Sequence, residues 1–466
     1  MEPAPTDPPV STDLSGLSAS IGAEVLLPGT RAYESVRRPA LAQFFDRHPA
    51  AIVLCRSPDD IARTVAYARQ RGLPVVARSG GHCFAGRSST EGIVLDVSPM
   101  DTVLVSQATV TVGAGIRLGA LGDALHRHDV ALPTGCGGTV GIAGLTLGGG
   151  LGILGRQYGL TCDRLLAARV VLADGQVVDC DEAHHPDLFW ALRGAGGGHF
   201  GVVTSLVFRT VPAPEVTIFR LTWPLDPAAS LVTAWTEGAP EASDALSVNL
   251  QLSVPAELAE PPTVSLVGAM CADQATTAAQ VTGLAGRVGS QPISTAWQQL
   301  PYALAKRALD EGPVDGSEPA GLTHRKTEFF PAGLPGDAVA DLLGILTSDR
   351  TASQAREISF LPMGGAYNRT PTTATAFAHR DQRFLIEHLA TVGLQAPVGE
   401  QEAARSWVSA SWSAVHPWAS GRVYPNFPDL GLTNWADAYW GENHHRLQTV
   451  KRRYDPDDVF YAVQSL

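Results

Sequence analysis

The stretch RSGGHCFAG, residues 78–86, sets one histidine among small residues directly after the apolar run LPVVA. Glycine reaches positive φ without a steric penalty and lets a ligand approach the main chain closely. A run of such residues turns successive backbone N–H groups toward anionic oxygens. The stretch therefore predicts a loop that grips a ligand through its main chain, with His82 beside that ligand.

Two further glycine-rich runs, at 135–152 and 194–201, repeat this pattern. Each run alone is also compatible with a simple turn between short strands. Three runs together predict a large anionic ligand held by backbone amides, most naturally the pyrophosphate of a dinucleotide. GAGGGHFG lies between an expected helix and an expected strand, so it lacks the strand–loop–helix context of the Rossmann GxGxxG motif, and no Walker sequence is present. Neither a Rossmann fold nor a P-loop is therefore expected.

The composition is that of a globular, acidic protein. A length of 466 residues is too great for one ordinary core, so two or three domains are expected. The net charge of -12 and the lack of a Lys/Arg-rich run argue against nucleic acid or an anionic membrane as a partner. No apolar window has membrane-spanning length.

The N-terminal sequence and the cysteines are used to predict the cellular compartment of the protein. Residues 1–24 have neither the basic nor the apolar region of a secretory signal, so we expect a disordered tail and a cytoplasmic protein. The six cysteines include no CxxC pair, which argues against a zinc site and favours reduced thiols. No metal ion is expected, because no His and carboxylate spacing fits one.

The hydrophobic pattern defines the elements that position the glycine-rich runs. Apolar residues at helical spacing predict a helix over 59–71, which begins with two aspartates and ends at Gly72. An Ala-Asp-Gly turn predicts a hairpin over 165–180. Further strands are expected at 73–77, 92–99 and 108–115, a helix at 118–129, and a helix, turn and strand over 186–211. Beyond about 212 the glycine-rich runs become rare, which indicates a second domain.

Six segments in order carry a family resemblance: RSGGHCFAG, PTG…TVGIAGLTLGGGLG, LTCDRLLAARVVLADGQVV, HHPDLFWALRGAGGGHFGVVTSLVFR, YPNFPD and NWADAYWGEN…KRRYDPDDVF. They resemble the berberine-bridge-enzyme-like flavoproteins of the vanillyl-alcohol-oxidase superfamily, which have a PCMH-type FAD-binding domain. The resemblance covers about residues 30–215 and 360–466. It implies an α+β fold in two domains: an FAD domain of two α+β subdomains, and a substrate domain with an antiparallel sheet backed by helices. The implied boundaries are 25–211 for the FAD domain, 212–420 for the substrate domain, and 421–466 for a C-terminal return that completes the FAD domain.

The resemblance implies FAD as the cofactor, bonded at its 8α carbon to a ring nitrogen of His82. The alternative is that His82 only packs beside FAD. Some relatives also attach a cysteine to flavin C6. When the sequences are aligned on TVG, Gly137 takes the place of that cysteine and Cys136 lies one residue earlier. Cys136 is thus a candidate for a second link, and an unattached thiol is the favoured alternative. The other implied FAD contacts are Arg78, Ser79, Gly80, Gly81, Cys83, Gly86, Gly135, Gly138, Thr139, Val140, Gly141, Gly144, Leu145, Gly148, Gly149, Gly198, Gly201, Val202, Val203 and Asn426.

The resemblance also places a general base on the C-terminal return. Tyr424, in Tyr424-Pro425-Asn426, matches a tyrosine that lies over the substrate in relatives. A phenol has an unperturbed pKa near 10, so it needs a neighbouring group to act at neutral pH. Tyr367 is the expected helper, and His379 is a second candidate. Pro425 departs from the usual β-branched or aromatic residue.

The activity implied is that of an oxidase. A hydride leaves a carbon next to an O–H or N–H group, and O2 is reduced to H2O2 after entering past Val140. The composition, rich in alanine, glycine and arginine, resembles that of a high-GC actinobacterium. Many relatives from such organisms modify secondary metabolites, so the resemblance implies a secondary-metabolite hydroxyl as the substrate. A hexose or oligosaccharide oxidase is the alternative within the class. A flavin-containing drug-binding or resistance protein with little turnover, and a scaffold without flavin, are alternatives outside it. The expected partners are a small-molecule substrate and O2, in a monomer or homodimer.

Overall fold

The chain begins with a small α/β unit. The computed structural model describes residue 14 and residues 16–286, 289–310, 319 and 321–466. In this unit β2 and β3 both pair with β4 in parallel, so the loop 78–86 leaves the C-terminal end of β3. Ser57 caps α3 in a capping box with Asp60, and Gly72 ends the helix in the left-handed conformation. The elements are α1 (Leu17–Ile21), β1 (Glu24–Leu26), α2 (Arg31–Arg37), β2 (Ala51–Leu54), α3 (Pro58–Arg71), β3 (Val75–Arg78) and β4 (Ile93–Asp96).

The disordered tail predicted for residues 1–24 is wrong at its C-terminal end. Residues 17–21 form α1, and Glu24 begins β1. Leu17 and Ile21 lie four residues apart on one helix face, and both are buried in the core beside α3. Residues 1–13 and 15 of the predicted tail lie outside the described residues.

A second unit carries the longest glycine-rich run. Its five-stranded antiparallel sheet has the order β5-β6-β10-β8-β9, and β8 and β9 form the hairpin expected over 165–180. The run 135–152 lies between β7 and α6 and includes α5. The elements are β5 (Val103–Ser106), β6 (Thr109–Gly113), α4 (Leu118–His126), β7 (Val130–Ala131), α5 (Ile142–Leu147), α6 (Gly155–Tyr158), β8 (Leu165–Val171), β9 (Val177–Cys180), α7 (Pro186–Ala191), β10 (Val202–Arg209) and β11 (Val211–Pro212).

The following residues form a seven-stranded antiparallel sheet, here called the substrate sheet. Its order is β15-β12-β14-β13-β17-β18-β16. Even-numbered side chains of β13, β17 and β18 pack against helices α8, α11 and α13, which leaves the odd-numbered ones on the opposite face. The elements are β12 (Glu215–Pro224), α8 (Ala228–Gly238), β13 (Leu246–Val254), β14 (Thr263–Met270), α9 (Gln274–Ala285), β15 (Ser294–Pro301), α10 (Tyr302–Ala308), β16 (Leu322–Phe330), α11 (Gly336–Thr347), β17 (Gln354–Pro362), α12 (Ala366–Arg369), β18 (Phe384–Val392) and α13 (Val398–Val415).

The C-terminal segment returns to the first two units. Helices α14 (Trp435–Trp440) and α15 (His444–Tyr454) contribute Trp440 and Leu447 to the core that these units share. The buried Lys451 amine donates to Asp455 and to the carbonyl of His199, which fixes α15 against the third glycine-rich run. The expected α+β fold is confirmed, while the boundaries at 211 and 420 stay a prediction. In the part of the chain that the structure describes, no helix has the length and apolar character needed to cross a membrane.

Candidate active site

His82 lies where the loop 78–86 meets the run 135–152. Its Nε2 is 2.9 Å from Thr139 Oγ1. Burial, helped by the nearby Arg117 and opposed by Asp310, lowers the pKa of His82 to about 4. The imidazole is therefore neutral at pH 7 and keeps a lone pair for a nucleophilic or basic role. Arg78 anchors the start of the loop by donating to the carbonyls of Val36 and Ser88.

The two glycine-rich segments touch each other at Gly80 and Gly141. A Cβ on either residue would overlap the backbone of the other, and a Cβ on Gly141 would also overlap Ser79. Ser79 donates its hydroxyl to the carbonyl of Ala114, 2.7 Å away. Glycine at these positions is thus required by the protein's own packing.

Other glycines leave the main chain open to a ligand. A Cβ on Gly144 or on Gly198 would meet no atom within 4 Å, and Gly198 has a φ of +85° that side chains rarely adopt. These two residues belong to separate glycine-rich runs. The space beside them and the neutral imidazole of His82 fit a large cofactor that is held by main chain and contacted by one histidine.

The other residues that were predicted to contact FAD have several different surroundings in the structure. Gly148 packs on Asn426, Gly149 on Phe377 and Tyr424, and Gly201 on Val171, so a side chain at these places would meet protein atoms. Gly81 and Gly86 have positive φ angles in the loop 78–86. Leu145, Val202 and Val203 belong to, or pack against, the first core, Cys83 is partly exposed, and Gly135 lies against Leu151.

Cys136 lies on the side of the run that faces α10. Burial lowers the pKa of Lys306 to about 8, while Cys136 and Asp310 oppose that shift. Cys136 also contributes to the raised pKa of Tyr302, for which burial is the larger cause. A Cβ at position 137 would come 3.1 Å from Val140 Cγ2, so position 137 points toward that residue. Successive positions of the run therefore point to different surroundings.

Tyr424 is buried with its hydroxyl oxygen among three N–H donors. The amides of Gly150 and Leu151 lie 2.9 and 3.3 Å from Oη, and Asn426 Nδ2 lies 2.9 Å from it. Burial raises the pKa of Tyr424 to about 12, and these three donors oppose the rise. No acceptor for the hydroxyl proton of Tyr424 is found among the described residues. Three N–H donors suit a phenolate better than a phenol, because the phenolate oxygen only accepts hydrogen bonds and carries no proton that needs an acceptor.

The hydroxyl group of Tyr367 has different hydrogen-bond partners from that of Tyr424. Its hydroxyl donates to the carbonyl of Gly152, 2.9 Å away, and accepts from the amide of the same residue. Burial raises its pKa well above the usual range. His379 is buried between Phe329 and Phe377, and burial lowers its pKa to about 3, so its ring is neutral. Both side chains lie near Tyr424. Of the two tyrosines, Tyr367 has an acceptor for its hydroxyl proton, whereas Tyr424 has none among the described residues.

Two carboxylates of the site, those of Asp310 and Asp163, were not predicted from the sequence. Asp310 Oδ2 accepts from the amide of Gly138 at 2.7 Å and thereby ties the end of α10 to the second glycine-rich run. Asp163 makes a two-pronged ion pair with Arg380, at 2.6 and 2.8 Å. The available signal for Asp163 was its place in LTCDRLL, a few residues after that run, but its partner is 217 residues away.

Comparisons with known proteins decide the family. The sequence matches the FAD binding domain family over residues 49–181 and the "Berberine and berberine like" family over 423–466. It is 31% identical to the FAD-linked oxidoreductase YgaK of Bacillus subtilis over 90% of this chain and 92% of that protein. The chain belongs to the berberine-bridge-enzyme-like family of FAD-linked oxidoreductases. A further relative, the (R)-6-hydroxynicotine oxidase of Paenarthrobacter nicotinovorans, is 31% identical over 95% of this chain and 96% of its own length.

Solved structures show that the whole fold is shared. Chitooligosaccharide oxidase superposes with a TM-score of 0.85 at 23% identity, over 97% of this chain and 98% of its own. Berberine bridge enzyme from Eschscholzia californica superposes with a TM-score of 0.87 at 23% identity, over the same shares. This berberine-bridge-enzyme-like protein is therefore an FAD-linked enzyme with the two-domain α+β fold of its family.

Proposed function

We propose that the protein oxidises a small organic substrate at a carbon that bears an O–H or N–H group, and that O2 is the final electron acceptor. The observation that carries the proposal is Tyr424, whose hydroxyl lies among three N–H donors beside the second glycine-rich run. Bound FAD supplies the acceptor for the substrate's hydride and returns the electrons to O2 as H2O2. The substrate class proposed first is a secondary-metabolite hydroxyl.

Tyr424 is the proposed general base. The amides of Gly150 and Leu151 and the side chain of Asn426 stabilise its phenolate, and the oxygen then takes the proton from the substrate's O–H or N–H group. Because burial holds the pKa near 12, the reactive form is scarce at neutral pH and increases as the pH rises. Tyr367 is the proposed positioning residue, since its two bonds to Gly152 hold the segment that carries the donors.

His82 is the proposed attachment point for FAD. Its hydrogen bond to Thr139 uses Nε2, so Nδ1 is the nitrogen proposed to face the flavin. The neutral state of the ring supports this role, because only an unprotonated nitrogen can form the bond. The side of the run that Cys136 occupies, facing α10, supports attachment through His82 alone.

The substrate is proposed to lie between the substrate sheet and the second glycine-rich run. There Phe329, Phe377 and Leu385 form one buried cluster with Tyr424 and Tyr367. Val140, in the same run, is the proposed gate for O2. None of the six cysteines forms a disulfide, which supports the proposal of a cytoplasmic protein.

The test is to supply alcohols and amines to the purified protein and to measure O2 uptake and H2O2 release together. Equal molar amounts of O2 consumed and H2O2 released are expected with at least one substrate, and Tyr424→Phe should lower that rate by about 10²–10⁴-fold. Reduction of the bound flavin by substrate without H2O2 release in air would show a dehydrogenase instead. Substrate binding without reduction of the flavin would favour a binding protein.

A further inference from the structure

Helix α10, which follows strand β15 at the edge of the substrate sheet, carries three polar side chains on one face. Tyr302, Lys306 and Asp310 follow one another at intervals of four residues, which places them on the same side of a helix. The helix ends at Ala308, and the amide of Asp310 donates to the carbonyl of Arg307 at 3.2 Å, which continues the last turn as far as Asp310. The three side chains therefore form a row along α10.

This row is hydrogen-bonded to the chain where the second glycine-rich run begins. The bonds are those of Tyr302 Oη to the Leu132 carbonyl at 3.1 Å, Lys306 Nζ to Thr134 Oγ1 at 2.5 Å, and the Gly138 amide to Asp310 Oδ2 at 2.7 Å. Tyr302 and Lys306 are 5% and 6% exposed, so water competes little for their bonds. Breaking such a bond leaves a buried polar group without a partner, which costs more than the bond itself contributes. Helix α10 therefore fixes the path of residues 132–138.

Gly138 is held from two sides. Its amide donates to Asp310, and its carbonyl accepts from the amide of Gly119, in the first turn of α4, at 2.9 Å. A Cβ on Gly138 would lie 3.1 Å from Asp310 Oδ2, so the carboxylate packs directly on this residue. The exposed Arg307 of α10 forms an ion pair with Asp123 of α4, which joins the two helices at a separate point. Both peptide groups of Gly138 are thus fixed by helices outside the run.

Thr139 connects this fixed point to His82. It follows Gly138 directly, and because the peptide bond between them is planar, the position of the Gly138 carbonyl determines that of the Thr139 backbone. The Thr139 hydroxyl lies 2.9 Å from His82 Nε2, and a partner at one ring nitrogen fixes the orientation and tautomer of an imidazole. Asp310 also opposes the lowering of the pKa of His82, so its charge is felt at that ring. A chain of contacts therefore leads from Asp310 through Gly138 and Thr139 to His82.

We propose that Asp310 is a positioning residue for the attachment of FAD: by holding the Gly138 amide, it keeps Thr139 where its hydroxyl orients the His82 imidazole. This inference rests on the proposed attachment to His82 and adds that a helix next to the substrate sheet is needed for it. The attachment exchanges the N–H bond of the imidazole and one C–H bond of the 8α carbon for a C–N bond. O2 takes up the two electrons and two protons and is released as H2O2.

The first experiment measures the ratio of attached to unattached flavin after acid precipitation, for proteins purified after the same expression time. Asp310→Ala removes the acceptor of the Gly138 amide and should lower this ratio about tenfold, the effect of about one lost hydrogen bond. Asp310→Asn keeps an oxygen that can accept from the amide, so it should restore the ratio to within about threefold of the wild-type value. Asp123→Ala is the matched control, because it removes the other contact between α10 and α4 without touching Gly138, and it should keep the wild-type ratio.

The second experiment asks whether Asp310 acts through Thr139. Thr139→Ala leaves α10 unchanged and should lower the ratio as Asp310→Ala does, whereas Thr139→Ser keeps the hydroxyl and should restore it. The double variant with alanine at both positions should lose no more than Thr139→Ala alone, because residues that act through one contact are not additive.

Three results would overturn the inference while attachment to His82 stands: a wild-type ratio in Asp310→Ala, a wild-type ratio in Thr139→Ala, or losses that multiply in the double variant. Flavin that is wholly unattached in the wild-type protein would contradict the attachment itself, and the inference with it. The total flavin bound and the midpoint of denaturant unfolding verify that each variant is folded.

Discussion

At the scale of the residue, Tyr424 and Tyr367 differ in where the hydroxyl proton can go. Tyr367 donates its proton to the carbonyl of Gly152, whereas Tyr424 receives three N–H groups and has no acceptor among the described residues. Two buried phenols close in space thus differ in their hydrogen bonds. The role that we propose for Tyr424 depends on the backbone that surrounds it, since Gly150 and Leu151 belong to the second glycine-rich run.

The donors around Tyr424 predict the pH dependence of the reaction. The pKa of Tyr424 is about 12, so kcat/KM should rise about tenfold per pH unit between about pH 6 and 9, if the phenolate is the base. Asn426→Ala removes a donor to the phenolate, raises this pKa further and lowers kcat/KM at every pH in that range. A pH profile of each variant checks this. Tyr367→Phe is the control and should keep the wild-type slope, and a slope that vanishes only in Tyr367→Phe would assign the base to Tyr367.

Cys136 provides a second prediction at this scale. Cys136 lies near enough to Lys306 and Tyr302 of α10 to influence their pKa values, so we expect Cys136→Ala to leave the amount of attached flavin unchanged. The measurement is the absorbance of the acid-precipitated protein. Gly137→Cys is the informative partner variant, because position 137 lies beside Val140. Loss of the attached flavin in Cys136→Ala would show that Cys136 is a second link.

At the scale of the element, the glycine-rich segments serve two purposes that the structure separates. Gly80 and Gly141 allow two segments to touch, whereas Gly144 and Gly198 have open space where a side chain would be. The first arrangement concerns packing within the protein, and the second is the one that we propose to leave room for the cofactor. A side chain at Gly80 or Gly141 should therefore impair folding, whereas one at Gly144 or Gly198 should impair the binding of FAD.

Gly144→Ala tests the second purpose. The added methyl group meets no protein atom, and alanine in helix α5 should stabilise the fold by up to about 1 kcal/mol. FAD retention should nevertheless fall, because the methyl group occupies space at the cofactor. Thermal unfolding and the ratio of flavin to protein absorbance check both expectations. Gly122→Ala in α4, which also has open space, is the control. Full flavin content in Gly144→Ala would remove this residue from the site.

The sequence correctly predicted the helices and hairpins whose caps and turns are formed by residues within the element itself. The helix over 58–71 carries its own cap and stop, and the hairpin over 165–180 carries its own turn. Helix α1 was missed because five residues are too few to form a helix without tertiary contacts. The pairing of Thr327 with Glu387 was not predicted, because the two residues lie 60 residues apart in the sequence. A carboxylate within the apolar stretch FLIEHLATV was the one available sign.

At the scale of the whole molecule, buried polar contacts join the first two units to the substrate sheet. Arg380 holds Asp163 in the two-pronged ion pair, and Arg156 donates to the carbonyls of Pro240, Ala242 and Met363. These bonds lie around the apolar cluster of Tyr424 and Tyr367. These bonds therefore hold the first two units against the substrate sheet beside that cluster.

Asp163→Asn tests the docking of the two cores. It leaves the Arg380 guanidinium, 1% exposed, without its charge partner, which should lower the free energy of unfolding by about 3–5 kcal/mol. Denaturant unfolding measures the loss. The matched control is Asp179→Asn, which breaks the exposed pair with Arg169 and should cost at most about 1 kcal/mol. Equal stability of the two variants would show that the Asp163 pair does not hold the cores together.

The attachment of FAD to His82 is the central claim about the cofactor, and one spectrum tests it. The wild-type protein and His82→Ala are precipitated with acid, and the visible absorbance of pellet and supernatant is recorded. A yellow wild-type pellet is predicted, with a colourless pellet and free FAD in the supernatant for His82→Ala. A colourless wild-type pellet, or a yellow pellet from His82→Ala, would contradict the account.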